Sequence, residues 1–347
     1  MKAVIAGVTG AVGSAIAREL ASSGDWTVTG LSRNPPKSPI TGVEYVSADL
    51  ADTELCRQAL AGHEDATHLF YCARATHREQ TLEDAATNLA LLDNVLNAAE
   101  RGLLQHVHLV QGGKVYGVHV GPFPTPAREE DPRAVIENFN YDQEDLLRRR
   151  SEDRSWTWSA SRPNTLLHFS PAIARNLVSS LGAYAAICRE LGCAFDFPGP
   201  GGAYRSLTQV TSIELLARAM AWMATEPHCA NEAFNVTNGD VFRWSRLWPR
   251  IADVFDMPCG SVRPLRLAEV MQGKEAVWGR VCERYGLALR PLSAVANWGY
   301  LDATLERTWD EILSTTKARR FGFHEWEDSE VRLLDLVAEY RAARILP

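Results

Sequence analysis

Close to the N-terminus, Gly7-Val8-Thr9-Gly10-Ala11-Val12-Gly13 carries the first chemistry that the sequence offers. It follows the apolar run Val4-Ile5-Ala6 and opens the periodic stretch Ser14–Ala21. Gly7 permits a tight turn, Gly10 lets the backbone approach a pyrophosphate, and Gly13 lets the coming helix pack close to the strand. The helix N-terminus then faces a phosphate with free N–H groups and the positive end of its dipole. Strand, glycine turn and helix in that order read as a dinucleotide site. The end of the next strand reads Gly30-Leu31-Ser32-Arg33-Asn34, with no acid for a ribose hydroxyl and with Arg33 placed to bond a 2′-phosphate. NADP(H) is therefore expected over NAD(H). Asp49, followed by Leu50, could meet an adenine amino group after the third strand; it could equally cap a helix.

Acid/base chemistry is harder to place. Short-chain dehydrogenases commonly put a lysine one helical turn after a tyrosine. Here position +4 is Asp49 after Tyr45, Ala75 after Tyr71, Val120 after Tyr116, Asp145 after Tyr141, Cys188 after Tyr184 and Thr208 after Tyr204. Either catalysis has been lost in favour of cofactor sensing, or the same chemistry is assembled from separated residues. His106 and His108 alternate along one strand and share a face, but no further ligands lie near them in sequence. Their expected role is structural, and no metal site is expected.

These residues need a frame. Candidate strands are Lys2–Ala6, Thr27–Leu31, Glu44–Ser47, His68–Cys72, His106–Val110 and Thr157–Ser161. Between them, Thr53–Leu60, Ala86–Ala99 and Tyr141–Arg150 repeat apolar residues at three and four. That alternation predicts an α/β fold, a doubly wound parallel sheet of the Rossmann type. Residues 1–164 are expected to form the cofactor-binding domain, with a strand returning near 233–237, and residues 165–347 mainly an interleaved helical cap over the substrate. Seven of the ten tryptophans lie in that second part, as core or as lining for an apolar pocket.

The chain has 347 residues and a net charge of −7, which repels polyanions and argues against a nucleic-acid partner. Arg148-Arg149-Arg150 stands among Glu144, Asp145, Glu152 and Asp153 and reads as a solvated helix face. Seven cysteines without a Cys-x-x-Cys pair fit neither a disulfide framework nor a zinc site, and suggest a reducing cytoplasm. No apolar run approaches the ~20 residues of a membrane span.

Longer motifs add a resemblance. Val110-Gln111-Gly112-Gly113-Lys114-Val115-Tyr116-Gly117, then Gly121-Pro122-Phe123, then Asn138-Phe139-Asn140-Tyr141-Asp142-Gln143-Glu144-Asp145, is similar to the progesterone 5β-reductase and iridoid synthase-like enone reductases. Trp158 to Asn164, Phe195 to Gly199 and Ala233 to Asp240 match as well, so the likeness runs from the first strand to near residue 323. It implies NADPH as cofactor, Lys114 and Tyr141 as the catalytic pair, and a homodimer. It also implies that Thr9, Ala11, Val12, Ser32, Asn34, Leu50, Cys72, Ala73, Gln111, Tyr141 and Pro163 join the glycines, Arg33 and Asp49 around the cofactor. Phe123, Tyr141 and Arg74 are the expected substrate-pocket residues. Arg74 stands where relatives often carry Trp, which would suit a substrate carboxylate, a cofactor phosphate or a surface ion pair.

The implied reaction is 1,4-reduction of a small enone or enal. Hydride reaches the β-carbon, and Tyr141 and Lys114 stabilise the enolate oxygen. Two other readings keep the fold: carbonyl reduction or sugar epimerisation, against which the missing Tyr-x-x-x-Lys argues, and a non-catalytic NADP(H)-sensing regulator.

Overall fold

Seven strands form one wholly parallel sheet in the order Glu232–Val236, β6 (Thr157–Pro163), β5 (His106–Val110), β4 (His68–Tyr71), β1 (Lys2–Ala6), β2 (Thr27–Ser32) and β3 (Val43–Ser47). The computed structural model describes residues 1–36, 38–75, 83–288 and 290–347. The central strands are near-continuous apolar runs because helices cover both faces. On one face α2 (Thr53–Leu60), α3 (Ala85–Ala99) and α4 (Phe139–Ser151) bury Leu60, Leu92, Leu96 and Leu147 against Leu69, Val107 and Trp158. On the other, α1 (Ala11–Ser23) and the helix Ile213–Thr225 set Ile16, Leu20, Leu216 and Met220 against Ile5, Val28, Phe70 and Phe234. This is the doubly wound sheet that the alternation of runs predicts.

Boundaries moved by one to three residues, each for a local reason. Helix α1 starts at Ala11 because Gly10 is its N-cap in extended backbone. Helix α4 starts at Phe139 because the Asn138 side chain accepts the Asn140 N–H at its N-terminus. Strand β6 continues to Pro163 because the return strand keeps pairing with it as far as Val236.

His106 and His108 are buried structural residues. Along β5 they bond the hydroxyls of Thr157, Ser159 and Ser161 on the neighbouring strand, at 2.8 to 3.1 Å. Burial pushes His106 down to about 3 and His108 well below its usual value, so both are neutral imidazoles. Among the described residues no group of acids, histidines and cysteines could hold a metal ion. Among them, too, no helix is long and apolar enough to cross a membrane.

Another core forms from residues beyond Leu167. Helix α5 (Leu177–Leu191) is buried on nearly every side, as an apolar helix must be. Around it pack the helices Glu275–Tyr285 and Ser329–Ala342, and Phe195 stacks on Trp248 with ring centroids 4.3 Å apart. Trp244, Trp248 and Trp278 belong to this core, whereas Trp326 is 70% exposed. Thr165–Leu167 pairs with Val210–Ser212 just past the end of β6 and joins this core to the sheet edge.

Candidate active site

The order of strands reverses between β1 and β4, so a crevice opens at the C-terminal ends of these two strands. The glycine turn lies at its floor. Gly7 has φ +81°, and a Cβ there would come within 2.9 Å of the Ala73 backbone that follows β4. A Cβ on Gly13 would meet the Gly7 carbonyl oxygen at 2.2 Å. Each glycine is thus required by backbone rather than by a movable side chain. No side chain caps α1, so its first N–H groups remain open to a phosphate.

Beside this turn lies a cleft of about 490 Å³, lined by Ala11, Val12, Cys72, Ala73, Arg74, Gln111, Lys114 and Pro163 among the expected residues. Gly7, Thr9, Gly10 and Gly13 form the turn itself. Arg33 stands at the C-terminal end of β2, exposed, its side chain without hydrogen bond or ion pair among the described residues. Around it the backbone is fixed: the Ser32 hydroxyl donates to the Asn34 carbonyl at 2.7 Å, and the Ser47 hydroxyl donates to the Arg33 carbonyl at 3.1 Å. Helix α2 is capped by Asp52, not Asp49, whose side chain accepts the Ala51 N–H at 3.1 Å. Leu50 is buried, and its carbonyl accepts from the Asn94 amide at 2.9 Å. The residues present therefore fit a phosphorylated dinucleotide: a backbone cradle, an uncapped helix terminus and a guanidinium at the second strand.

Lys114 sits in the 3₁₀ turn Gly113–Tyr116 directly beyond β5, and its carbonyl accepts from the Asn138 amide at 2.9 Å. Its side chain is 31% exposed and lies 3.2 Å from Glu83, which also ion-pairs with Arg74. Burial draws the ammonium below the ordinary lysine range, with Arg74 and Arg175 pulling the same way and Glu83 opposing. A partly desolvated cation in a crevice is suited to a negative charge that develops on a bound molecule.

Tyr141 and Phe123 are placed differently from the expectation that they line the pocket. Neither is among the described residues lining the cleft. They pack instead in a small cluster with Val115, Tyr116, Ala127 and Leu313. The Tyr141 hydroxyl donates to the Val115 carbonyl and accepts the Ala134 N–H at 3.0 Å. The side chains of α4 that do reach the cleft are Phe139 and Asn140. The tryptophans of the second half are likewise absent from the described lining: Trp244, Trp248 and Trp278 lie in the core around α5, Trp222 packs against the sheet, and Trp326 is exposed.

Beneath the cleft lies a network that the sequence pattern did not reveal. Glu144, read above as part of a solvated face, is only 4% exposed. Its carboxylate accepts from Arg162 at 2.8 Å, Gln111 at 3.0 Å and Arg148 at 2.8 Å. Burial alone would raise this carboxyl; Arg162 and the donors around it outweigh burial and hold it below the usual range. Arg162 also donates to Gln111 and to the Tyr116 hydroxyl, and Tyr116 donates to Asn235 on the return strand at 2.7 Å. The turn bearing Lys114 is thus tied to β6, α4 and the return strand. The available signal was Arg162 itself, a charge at the end of an otherwise buried strand, which demands a buried acid.

Fold and crevice together define a Rossmann-fold protein with a nucleotide-type cradle at its switch point. The chain belongs to the family of PRISE-like Rossmann-fold domains, matched over residues 33–347. It is 35% identical to an (S)-8-oxocitronellyl enol synthase of Nepeta racemosa, covering 99% of this chain and 93% of that protein. It is 34% identical to a 3-oxo-Delta(4,5)-steroid 5-beta-reductase of Arabidopsis thaliana, with the same coverage, 99% and 93%. Both relatives are named as enzymes. Among solved structures, a UDP-glucose 4-epimerase from Thermotoga maritima superposes with a TM-score of 0.69 at 16% identity, over 99% of each chain, a likeness of fold.

Proposed function

We propose that this protein is an NADPH-dependent reductase of the activated C=C bond in α,β-unsaturated carbonyl compounds. The observation that carries the reading is the place of Lys114, a partly desolvated ammonium at the C-terminal edge of the sheet, in the cleft beside the glycine cradle. The names of the two plant relatives, a steroid 5-beta-reductase and an enol synthase, fit a reaction in which an enolate forms.

The glycine turn and α1 would hold the pyrophosphate, and Arg33 the 2′-phosphate. NADPH held there would supply the hydride for the β-carbon of the substrate, and the resulting enolate would take its α-carbon proton from water. Lys114 then faces the negative charge that gathers on the carbonyl oxygen, in a site where water and its screening are reduced. Tyr141 grips the Val115 carbonyl one residue from Lys114 and so orients that turn; it reaches a substrate oxygen only by releasing this carbonyl. Domain roles follow the same reading: residues 1–164 with the return strand carry the cofactor, and residues beyond 165 close the substrate side.

NADPH consumption with a panel of enones, saturated ketones and buffer alone, for wild type, Lys114→Met and Tyr141→Phe, tests the proposal. Oxidation that depends on the enone and falls about 10²–10³-fold in Lys114→Met is expected. Turnover of saturated ketones in preference to enones would reject it, as would NADPH binding without turnover of any of them.

A further inference from the structure

A second cavity, of about 540 Å³, adjoins the cleft. Val118 and Arg307 line the cleft, while their chain neighbours His119 and Glu306 line the cavity, so one wall separates the two. His119 also feels the charges of the cleft. Burial holds its imidazole below the usual value, with Lys114 and Arg307 pulling the same way and Glu83 opposing. The volume falls in the range of small-molecule sites, and the reaction read above gives it no part.

Three prolines, Pro198, Pro200 and Pro264, together with Leu265, Leu305 and Trp309, give the cavity flat, apolar walls. Those walls are fixed before anything binds. The proline rings lock their own backbone, and the Leu265 N–H donates to the Pro198 carbonyl at 2.8 Å. A Cβ on Gly199 would overlap the Leu305 carbonyl oxygen, so residues 198–200 sit directly on the end of the helix Trp298–Leu305. A rigid wall takes a rigid guest at low entropic cost.

The charged groups around it do not call for an anion. Asp302 accepts the Leu267 and Ala268 N–H groups at 2.8 and 2.9 Å, Arg266 lies 3.4 Å from Glu269, and Glu306 adds a second acid. An uncharged guest suits that balance. The wall does lack an acceptor: the Trp309 indole N–H is buried and has no hydrogen-bond partner among the described residues. A buried donor without an acceptor is unfavourable, and an oxygen on the guest relieves it.

We propose that this cavity receives a flat, uncharged ring at the far end of the substrate and that the Trp309 indole bonds an oxygen on that ring, so that the preferred substrates are enones extended by such a ring. This rests on the enone-reductase reading and deepens it. With the carbonyl oxygen at Lys114, the rest of the molecule passes His119 into the cavity.

The test compares three enones under saturating NADPH: pent-3-en-2-one, and two in which a short saturated chain joins the same enone to a 4-acetylphenyl or a 4-isopropylphenyl ring. Acetyl and isopropyl groups match in shape and differ in the acceptor. In the wild type the acetylphenyl enone should have a kcat/KM about tenfold or more above that of pent-3-en-2-one, mainly through KM. Val120→Trp, which fills the cavity from its exposed edge, should lower that ratio about tenfold. Trp309→Phe should lower the acetyl-to-isopropyl ratio about fivefold, as the loss of one hydrogen bond does. A second readout needs no turnover: the Trp309 indole N–H resonance, assigned by its loss in Trp309→Phe, should move downfield when the saturated acetylphenyl ketone is added with NADP+. Equal kcat/KM for the acetylphenyl enone and pent-3-en-2-one in the wild type would overturn the proposal, as would a Trp309 resonance unmoved by millimolar ketone. Turnover of none of the three enones, with the resonance still shifted, would reject the enone-reductase reading and support the ring site.

Discussion

Replacing Glu144 by Gln probes the network that holds the Lys114 turn. The Glu144 and Arg162 side chains are 5% and 9% exposed and meet at 2.8 Å, so neither charge has water to fall back on. The carboxylate serves donors on both oxygens, Arg162 and Gln111 on one and Arg148 on the other. An amide has a single oxygen, and its NH₂ must point at one of these donors. Breaking a buried pair from one side costs about 3–5 kcal/mol. At about 2 °C per kcal/mol for a chain of this size, the melting temperature should fall by roughly 6–10 °C. Denaturant unfolding followed by tryptophan fluorescence gives the free energy directly. Arg162→Met should cost a similar amount, and the double variant should cost less than the sum by about 2 kcal/mol, because each single change strands the partner. NADPH binding should weaken as well, since Gln111 lines the cleft. A Glu144→Gln protein within about 0.5 kcal/mol of wild type, or a strictly additive double variant, would refute the reasoning.

Gly13→Ala places a methyl against the Gly7 carbonyl at 2.2 Å, where only backbone can give way. NADPH affinity measured by fluorescence titration should fall on the order of 100-fold with the fold retained, as an ångström-scale misplacement does; unchanged affinity would contradict the cradle. Arg33→Ala should weaken NADPH about tenfold and leave NADH nearly unaffected. Equal losses for both cofactors would remove the 2′-phosphate assignment. His68 and His168 are pushed down to about 4 and His106 to about 3, all by burial, against a usual value of 6.5 in the unfolded chain. Below pH 6.5 the unfolded chain therefore binds more protons than the folded one. Stability should be full above that pH and fall on acidification, by as much as about 1.4 kcal/mol per pH unit for each histidine. Urea midpoints that stay level from pH 7.5 to 5 would count against neutral buried histidines.

The glycine cradle was legible because its signal is local: a strand, three glycines and a helix within fourteen residues or so must fold against one another. Sheet strands were legible for a related reason, since burial on both faces writes itself as short apolar runs. Other features depended on contacts that sequence spacing does not carry. Glu144 follows the charge pattern of an exposed helix face, and only the approach of Arg162 from β6 shows that it is buried. Tyr141 sits at the helix start where a pocket residue would be expected, yet the loop through Val115 and Ala134 takes its hydroxyl. Arg175 and Tyr300 are 125 residues apart and meet only because the helix Trp298–Leu305 packs against α5. Their partnership was invisible until the chain was assembled.

The most direct measurement of the central claim follows the hydride. Incubation with NADPH carrying deuterium at the transferable position of the nicotinamide and a simple enone, with the product resolved by NMR, locates the new bond. The account predicts a saturated ketone with deuterium on the former β-carbon, formed about 10²–10³-fold more slowly by Lys114→Met. Deuterium on the carbonyl carbon of an allylic alcohol would contradict it.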